Sequence, residues 1–364
     1  MTSILTRSII EISEHLQSGL LTSTELLNLC LERVKKTECL NAFITITEEL
    51  ARKQATNSDE RYKKRKRLGM LDGIPIAVKD NFNIMGVRTT CGSNMLKNYI
   101  SPYNATVIQR LCNQGAVIIG KTNMDEFAMG SGTIDSIFGP TKNPYYSGLK
   151  FKLIHRNSIN DTHLNTAFCK KYGVENDWYI SGGSSGGSAV ALTTGTCFGY
   201  LKHNGHKAKN YASMADSYAA SRHEGFSEVV RGRILAGNYF LLKENYEKYF
   251  VQAMKVRRLI LNDFQNIFKK GIDFLLTPVT LTDAPLYSNW ITKDNREQVS
   301  VEDFCTQPVN MAGIPAVSLP CGFSNKGLPL SLQIIGQSFQ EKKLLIIAKW
   351  LEQQLNFPLW DLNE

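Results

Sequence analysis

Long apolar runs are missing from this chain. None approaches the roughly 20 residues that a membrane-crossing helix requires, which excludes an integral helical membrane protein. Cysteine never occurs in close pairs: the eight residues at 30, 39, 91, 112, 169, 197, 305 and 321 stand apart. That spacing offers neither a disulfide framework nor a zinc ribbon and reads as reduced thiols. Histidine is scarce, with six in the chain. The one close pair, His203 and His206, lacks a cysteine or carboxylate neighbour, so no metal site is expected. There is no internal repeat, and the first residues hold few arginines and no obvious presequence.

What is present describes a folded globular protein. Of its 364 residues 43% are hydrophobic and 21% charged, enough apolar side chains for one large domain or two ordinary ones. The formal charge of +9 would suit work beside tRNA. Its densest basic run, Arg61-Tyr62-Lys63-Lys64-Arg65-Lys66-Arg67, carries a single aromatic and reads as a solvated connector rather than a base-stacking platform.

Periodicity gives the organisation. Leu5, Ile9, Ile12 and Leu16 fall on one face of a helix over 5–18 that stops at Gly19. Thr22-Ser23-Thr24-Glu25 is a capping box before a helix reaching Lys36. A strand is expected over 41–47, a helix over 48–66, a helix over 105–114 stopped by Gly115, and a strand over 116–120. Residues 141–180 are turn-rich and polar and read as an insertion. Further on, 226–270 is strongly helical, and Leu275, Leu276, Ala316, Val317, Leu330, Leu332 and Ile334 belong to later strands. This alternation indicates an α/β fold with the site at strand ends. The boundaries expected are an N-terminal helical region over 1–70, a first core part over 71–197, a junction over 198–210, and a C-terminal core part over 211–364.

Two elements carry chemistry. Gly73-Ile74-Pro75-Ile76-Ala77-Val78-Lys79-Asp80 reads as a strand buried on both faces that delivers a lysine at its end. A lysine so placed is expected to lose solvation, which favours its neutral, proton-accepting form; pairing with Asp80 is the alternative. A hundred residues on, Ser181-Gly182-Gly183-Ser184-Ser185-Gly186-Gly187-Ser188 opens a small-residue helix through Leu192. Glycines there let backbone amides approach a ligand, and the helix N-terminus aims free N–H groups at it.

Together these elements resemble the amidase signature family, whose members use a lysine, a bridging serine and a nucleophilic serine to form an acyl-enzyme. Lys79 matches the family lysine and Ser184 the bridging serine. The segment from Gly120 to Ser131 resembles the family's pocket lining, with Met129 and Ser131 as substrate-binding positions. Within the family the likeness is to the organellar branch that hydrolyses glutamine for tRNA-dependent amidotransferases, over 1–197 and roughly 211–358. It implies an amidase-signature-like mixed sheet covered by helices on both faces. It also implies B and C partner subunits in a heterotrimer, Glu-tRNA(Gln) served indirectly through that complex, and a mitochondrial location. ATP and magnesium would be used by the partner, with no cofactor bound by this chain. Arg233, in Val230-Arg231-Gly232-Arg233-Ile234, would clamp the glutamine α-carboxylate, and Asp303 would pair with its ammonium.

The chain departs from that pattern after Ser188. The family places its attacking serine some two dozen residues beyond the bridging one, in an Asp-Thr-Gly-Gly-Ser type loop whose amides form the oxyanion hole. Here the sequence meets Gly199-Tyr200-Leu201-Lys202-His203-Asn204-Gly205-His206 and then a basic stretch, with no Gly-Gly-Ser. Part of the central sheet and the nucleophile are therefore expected to be lacking. Ser185, Ser188, Ser213, Ser217 and Ser221 read as caps and solvated hydroxyls. Two functions follow: the family's glutamine hydrolysis, or a catalytically silent truncated or splice variant that at most binds partner subunits. Another amidase of the family is a third, for which Arg233 and Asp303 together would be superfluous.

Overall fold

In the computed structural model, residues 4–145, 151–154, 177–197 and 225–362 are described. The chain divides into two compact units, and the sequence boundary between their main parts falls at Arg231 and Gly232.

The first unit opens with helices. A 3-10 turn, Ile4–Thr6, precedes α1, Ile9–Ser18, so the helix starts later than its apolar pattern suggests. The reason is a capping box at Ser8 and Glu11, which satisfies the first-turn N–H groups and ends the extended entry there. Gly19 closes α1 in the left-handed conformation, and Thr22 caps α2, Ser23–Lys36, reciprocally with Glu25, as the sequence indicates. Helix α3, Glu48–Lys63, stops three residues short of the expected end, turning through Arg65 at φ 54°.

The sheet of this unit is mixed. Strand β3, Val117–Thr122, lies at its centre, antiparallel to β1, Phe43–Ile46, and parallel to β2, Pro75–Lys79. All residues of β2 and β3 are buried. Alternation sends Val117 and Ile119 into one core with Ile12, Leu26, Leu27 and Ala77. Ile118 goes to the other face, with Val78, Phe82 and Ile108 of α4, Thr106–Asn113. Helices on both faces explain why the strands read as continuous apolar runs. Helix α5, Gly186–Thr193, joins the first core through Ala191.

The basic run is more than a connector. Arg61 turns inward to the fully buried Asp72, with Nη2 2.5 Å from Oδ1 and Nε 3.0 Å from Oδ2, and the Tyr62 hydroxyl donates to the Asp72 carbonyl. Arg65, Lys66 and Arg67 remain at the surface. Within the 141–180 segment, Phe151–Ile154 forms a strand, and most of the remainder lies outside the described residues, as does the expected junction over 198–210.

The second unit holds an antiparallel sheet: β6, Pro329–Ile335, sits between β4, Leu275–Pro278, and β5, Ala316–Phe323. The expected 226–270 helix is interrupted. Helix α6, Glu228–Leu241, ends before a short π-helical stretch, Tyr246–Val251, that leads into α7, Gln252–Lys269. Helices α8, Asn295–Glu302, α9, Gln307–Ala312, and α10, Glu341–Leu355, complete it. Phe268 of α7 packs with Val309 and Ala312 of α9, and α10 covers Ile334 through Leu344 and Ala348.

Candidate active site

Strand β2 ends at Lys79, which is only 1% exposed. Its Nζ donates to Ser184 Oγ at 2.7 Å and to Ser185 Oγ at 2.7 Å. The structure thus joins Lys79 and Ser184, 105 residues apart in sequence, in one hydrogen bond. Asp80 takes no part. Its carboxylate is bound by Lys121 of β3, at 2.8 Å from Oδ1, and by the backbone N–H of Thr90, at 2.8 Å from Oδ2. Lys121 and Asp80 are both fully buried, and the Lys121 ammonium also donates to Thr89 Oγ1. Burial pulls the Lys121 pKa down while Asp80 opposes it. The expected alternative, Asp80 as the partner of Lys79, is overturned by this arrangement. Consecutive strand residues point to opposite faces, and Lys121 meets Asp80 on its own side.

The serine loop is held from behind. Thr133 Oγ1 donates to the Gly182 carbonyl and accepts from the Gly186 N–H, both at 2.8 Å. The peptide bond between Gly183 and Ser184 is cis, and the Ser184 carbonyl accepts from the Asp125 N–H at 3.3 Å. Gly183 permits this close approach: a Cβ there would lie 2.2 Å from Asp125 Oδ2. Ser188 is buried and shares a hydrogen bond of 2.6 Å with Thr122, which makes it part of the scaffold. Ser185 opens α5, yet its side chain makes no capping bond; its hydroxyl goes to Lys79 instead. Its reading as a cap is corrected here, because a buried ammonium is a stronger partner than a helix N–H.

Asp125 organises the pocket segment, a role sequence reasoning missed. Its carboxylate accepts from the backbone N–H groups of Thr133 and Ile134 at 2.9 Å and of Asp135 at 3.3 Å. Burial pushes its pKa up, against those bonds and the Lys79 charge. The signal available was an aspartate eight residues before a threonine within a turn-rich segment. Phe127 and Ala128 then adopt φ of 50° and 63°, left-handed positions that non-glycine residues occupy at a cost. Met129 follows this turn, half-buried. Ser131 Oγ is buried and has no hydrogen-bond partner among the described residues.

Beyond it, a cavity of about 290 Å³ is lined by Glu126, Asp135, Asn94, Ile134 and Phe226, among others. Glu126 accepts from Ser93 Oγ and from the Ser227 N–H. Asp135 is pushed up to about 6, first by burial and then by the charges of Asp125 and Glu126. In the second unit, Asp303 ends α8 and its carboxyl is pushed up by burial and drawn back by the Arg233 guanidinium of α6. Arg233 and Asp303 are therefore electrostatic neighbours. No cluster of metal-ligating side chains occurs among the described residues. Ser213, Ser217 and Ser221 lie outside them.

A buried lysine bonded to the first serine of a Gly-Gly-Ser-Ser-Gly-Gly loop, on an α/β scaffold, defines a class of amide-cleaving proteins, and known proteins agree. The amidase family model matches residues 25–150 and 196–345, and the chain belongs to this family. Its relatives include the A subunits of mitochondrial glutamyl-tRNA(Gln) amidotransferase from Bos taurus, 38% identical, and Homo sapiens, 37% identical, each over 99% of this chain and 96% of the relative. Those alignments run over 517 positions against 364 residues here, so the relatives carry residues with no counterpart in this chain. Among solved structures, the A subunit of glutamyl-tRNA(Gln) amidotransferase from Thermotoga maritima matches with a TM-score of 0.67 at 24% identity, covering 100% of this chain and 99% of that one. A 6-aminohexanoate cyclic dimer hydrolase matches at 0.72 and 16%, covering 97% and 98%, and both establish the amidase α/β fold.

Proposed function

We propose that this chain is a glutamine-hydrolysing A subunit of a tRNA-dependent amidotransferase. The observation that carries the reading is the bond of 2.7 Å from Lys79 Nζ to Ser184 Oγ, half of a proton relay for amide cleavage. In this reading a hydroxyl attacks the side-chain carbonyl of glutamine and its proton passes to Lys79. The carbon–nitrogen bond then breaks, releasing ammonia, and water hydrolyses the acyl-enzyme to glutamate. Met129 and Ser131 line the approach, and Arg233 and Asp303 have the charges to hold an α-carboxylate and an α-ammonium. The names of the relatives support partner B and C subunits, delivery of ammonia for Glu-tRNA(Gln), and a mitochondrial location. ATP and magnesium belong to the partner's step. No helix among the described residues is long and apolar enough to cross a membrane.

A second reading is favoured by one observation: the sequence after Ser188 contains no Gly-Gly-Ser loop. The chain would then be a silent variant that binds partner subunits. Ammonia release from glutamine by the full chain co-expressed with B and C subunits, beside a Lys79→Ala control, separates the two. Release abolished by the substitution supports the first; equal traces in both preparations leave the second.

A further inference from the structure

We propose that Ser185 is the nucleophilic hydroxyl of this chain, with Lys79 as its direct base. The inference rests on the amide-hydrolysing reading above and names the group that reading needs. The only serine hydroxyls that accept from Lys79 Nζ among the described residues are those of Ser184 and Ser185, each at 2.7 Å. Ser188, the other serine of the loop's end, is spent on Thr122.

Ser185 differs from Ser184 in its place. It immediately precedes α5, so the positive end of that eight-residue helix lies beside its oxygen, where negative charge develops during attack. It also forgoes the capping bond that a serine at this position ordinarily makes, leaving its hydroxyl directed at the lysine. The loop beside it has room for an acyl group: Gly183 is exposed, and a Cβ on Gly182 would meet nothing within 4 Å.

The step balances within these residues. The Ser185 Oγ–H proton moves to the neutral Lys79 amine as Oγ bonds to the amide carbon. The tetrahedral intermediate collapses, the carbon–nitrogen bond breaks, and the leaving nitrogen takes that proton from Lys79. Water attacks the resulting ester, and Ser185 recovers its proton as glutamate leaves.

The test is fluorophosphonate labelling of the full chain co-expressed with its partner subunits, with the modified residue mapped by peptide mass spectrometry. The expected label is on Ser185, and Ser185→Ala and Lys79→Ala each reduce labelling at least ten-fold. Label on Ser184, Ser213, Ser217 or Ser221, or a folded chain that takes no label, overturns the inference. Should Ser185→Ala fail to fold, Ser185→Cys serves. Its thiol is expected to react with iodoacetamide several-fold faster than in the Lys79→Ala, Ser185→Cys double variant, and equal rates overturn the dyad. Labelled Ser185 without ammonia from glutamine removes the glutamine reading and leaves the nucleophile. Glutamine hydrolysis undiminished in Ser185→Ala does the reverse.

Discussion

Two buried lysines lie on neighbouring strands, and their partners separate their roles. Lys121 is neutralised by Asp80, whereas Lys79 faces two hydroxyls. Removing the Lys121 charge leaves a carboxylate buried without its cation, which costs about 3–5 kcal/mol. Lys121→Met is therefore expected to lower the thermal midpoint sharply, and the Lys121→Met, Asp80→Asn double variant to recover part of the loss in parallel melts. Asp135 offers a pH test. Its carboxyl has an ordinary value of 3.8 and is raised to about 6 in the fold, so the folded state binds that proton more tightly than the unfolded chain. The stability contributed by its protonation is complete below about pH 4 and lost as pH rises through about 6. Asp135→Asn is thus expected to be more stable than the parent at pH 8 and to lose that advantage by pH 4. Melting curves of both chains at the two pH values check the sign; an advantage that grows toward pH 4 would contradict it.

At the scale of elements, the site depends on how closely α5 approaches the ends of β1 and β3. A Cβ on Gly187 would lie 2.5 Å from the Asn123 carbonyl oxygen and 2.6 Å from that of Ala42, both backbone atoms that cannot swing aside. Gly187→Ala is expected to destabilise the fold by about 1–3 kcal/mol, since overpacking here must shift a helix or a strand. It should also weaken labelling of the serine loop, measured beside its denaturant midpoint. The capping boxes at Ser8 and Thr22 give a milder case: Thr22→Ala should cost about 1 kcal/mol and leave the site unaffected. The box at Thr22 was legible because Thr-x-x-Glu sits directly before an apolar period. The box at Ser8 was hidden because Leu5 extends the same apolar face upstream of the cap.

For the whole molecule, the contrast between 364 residues and alignments of 517 positions has a physical consequence. In the second unit Leu235, Leu276, Leu345, Ile346 and Trp350 are exposed apolar side chains, and β4 and β5 are edge strands of their sheet. Unpaired edges and apolar faces promote association. The isolated chain is expected to elute as oligomers or aggregates in size-exclusion chromatography with light scattering, and co-expressed partner subunits to bring it into a defined complex. A monodisperse monomer with a cooperative unfolding transition would count against this.

The sequence by itself determined the local structure and the family. Continuous apolar runs marked β2 and β3, capping pairs marked α2, and the residues around Lys79 and Ser184 marked an amidase. These signals are local, since each depends on residues within a turn or a strand of one another. Which partner each buried charge takes was decided only by the tertiary structure. Lys79 could have paired with Asp80 next to it, and Ser185 could have capped the helix it precedes. Register between β2 and β3 gave Asp80 to Lys121, and the approach of α5 brought Ser185 to Lys79. A buried charge is satisfied by whichever group the packing brings within hydrogen-bond reach, and that group need not be near it in sequence.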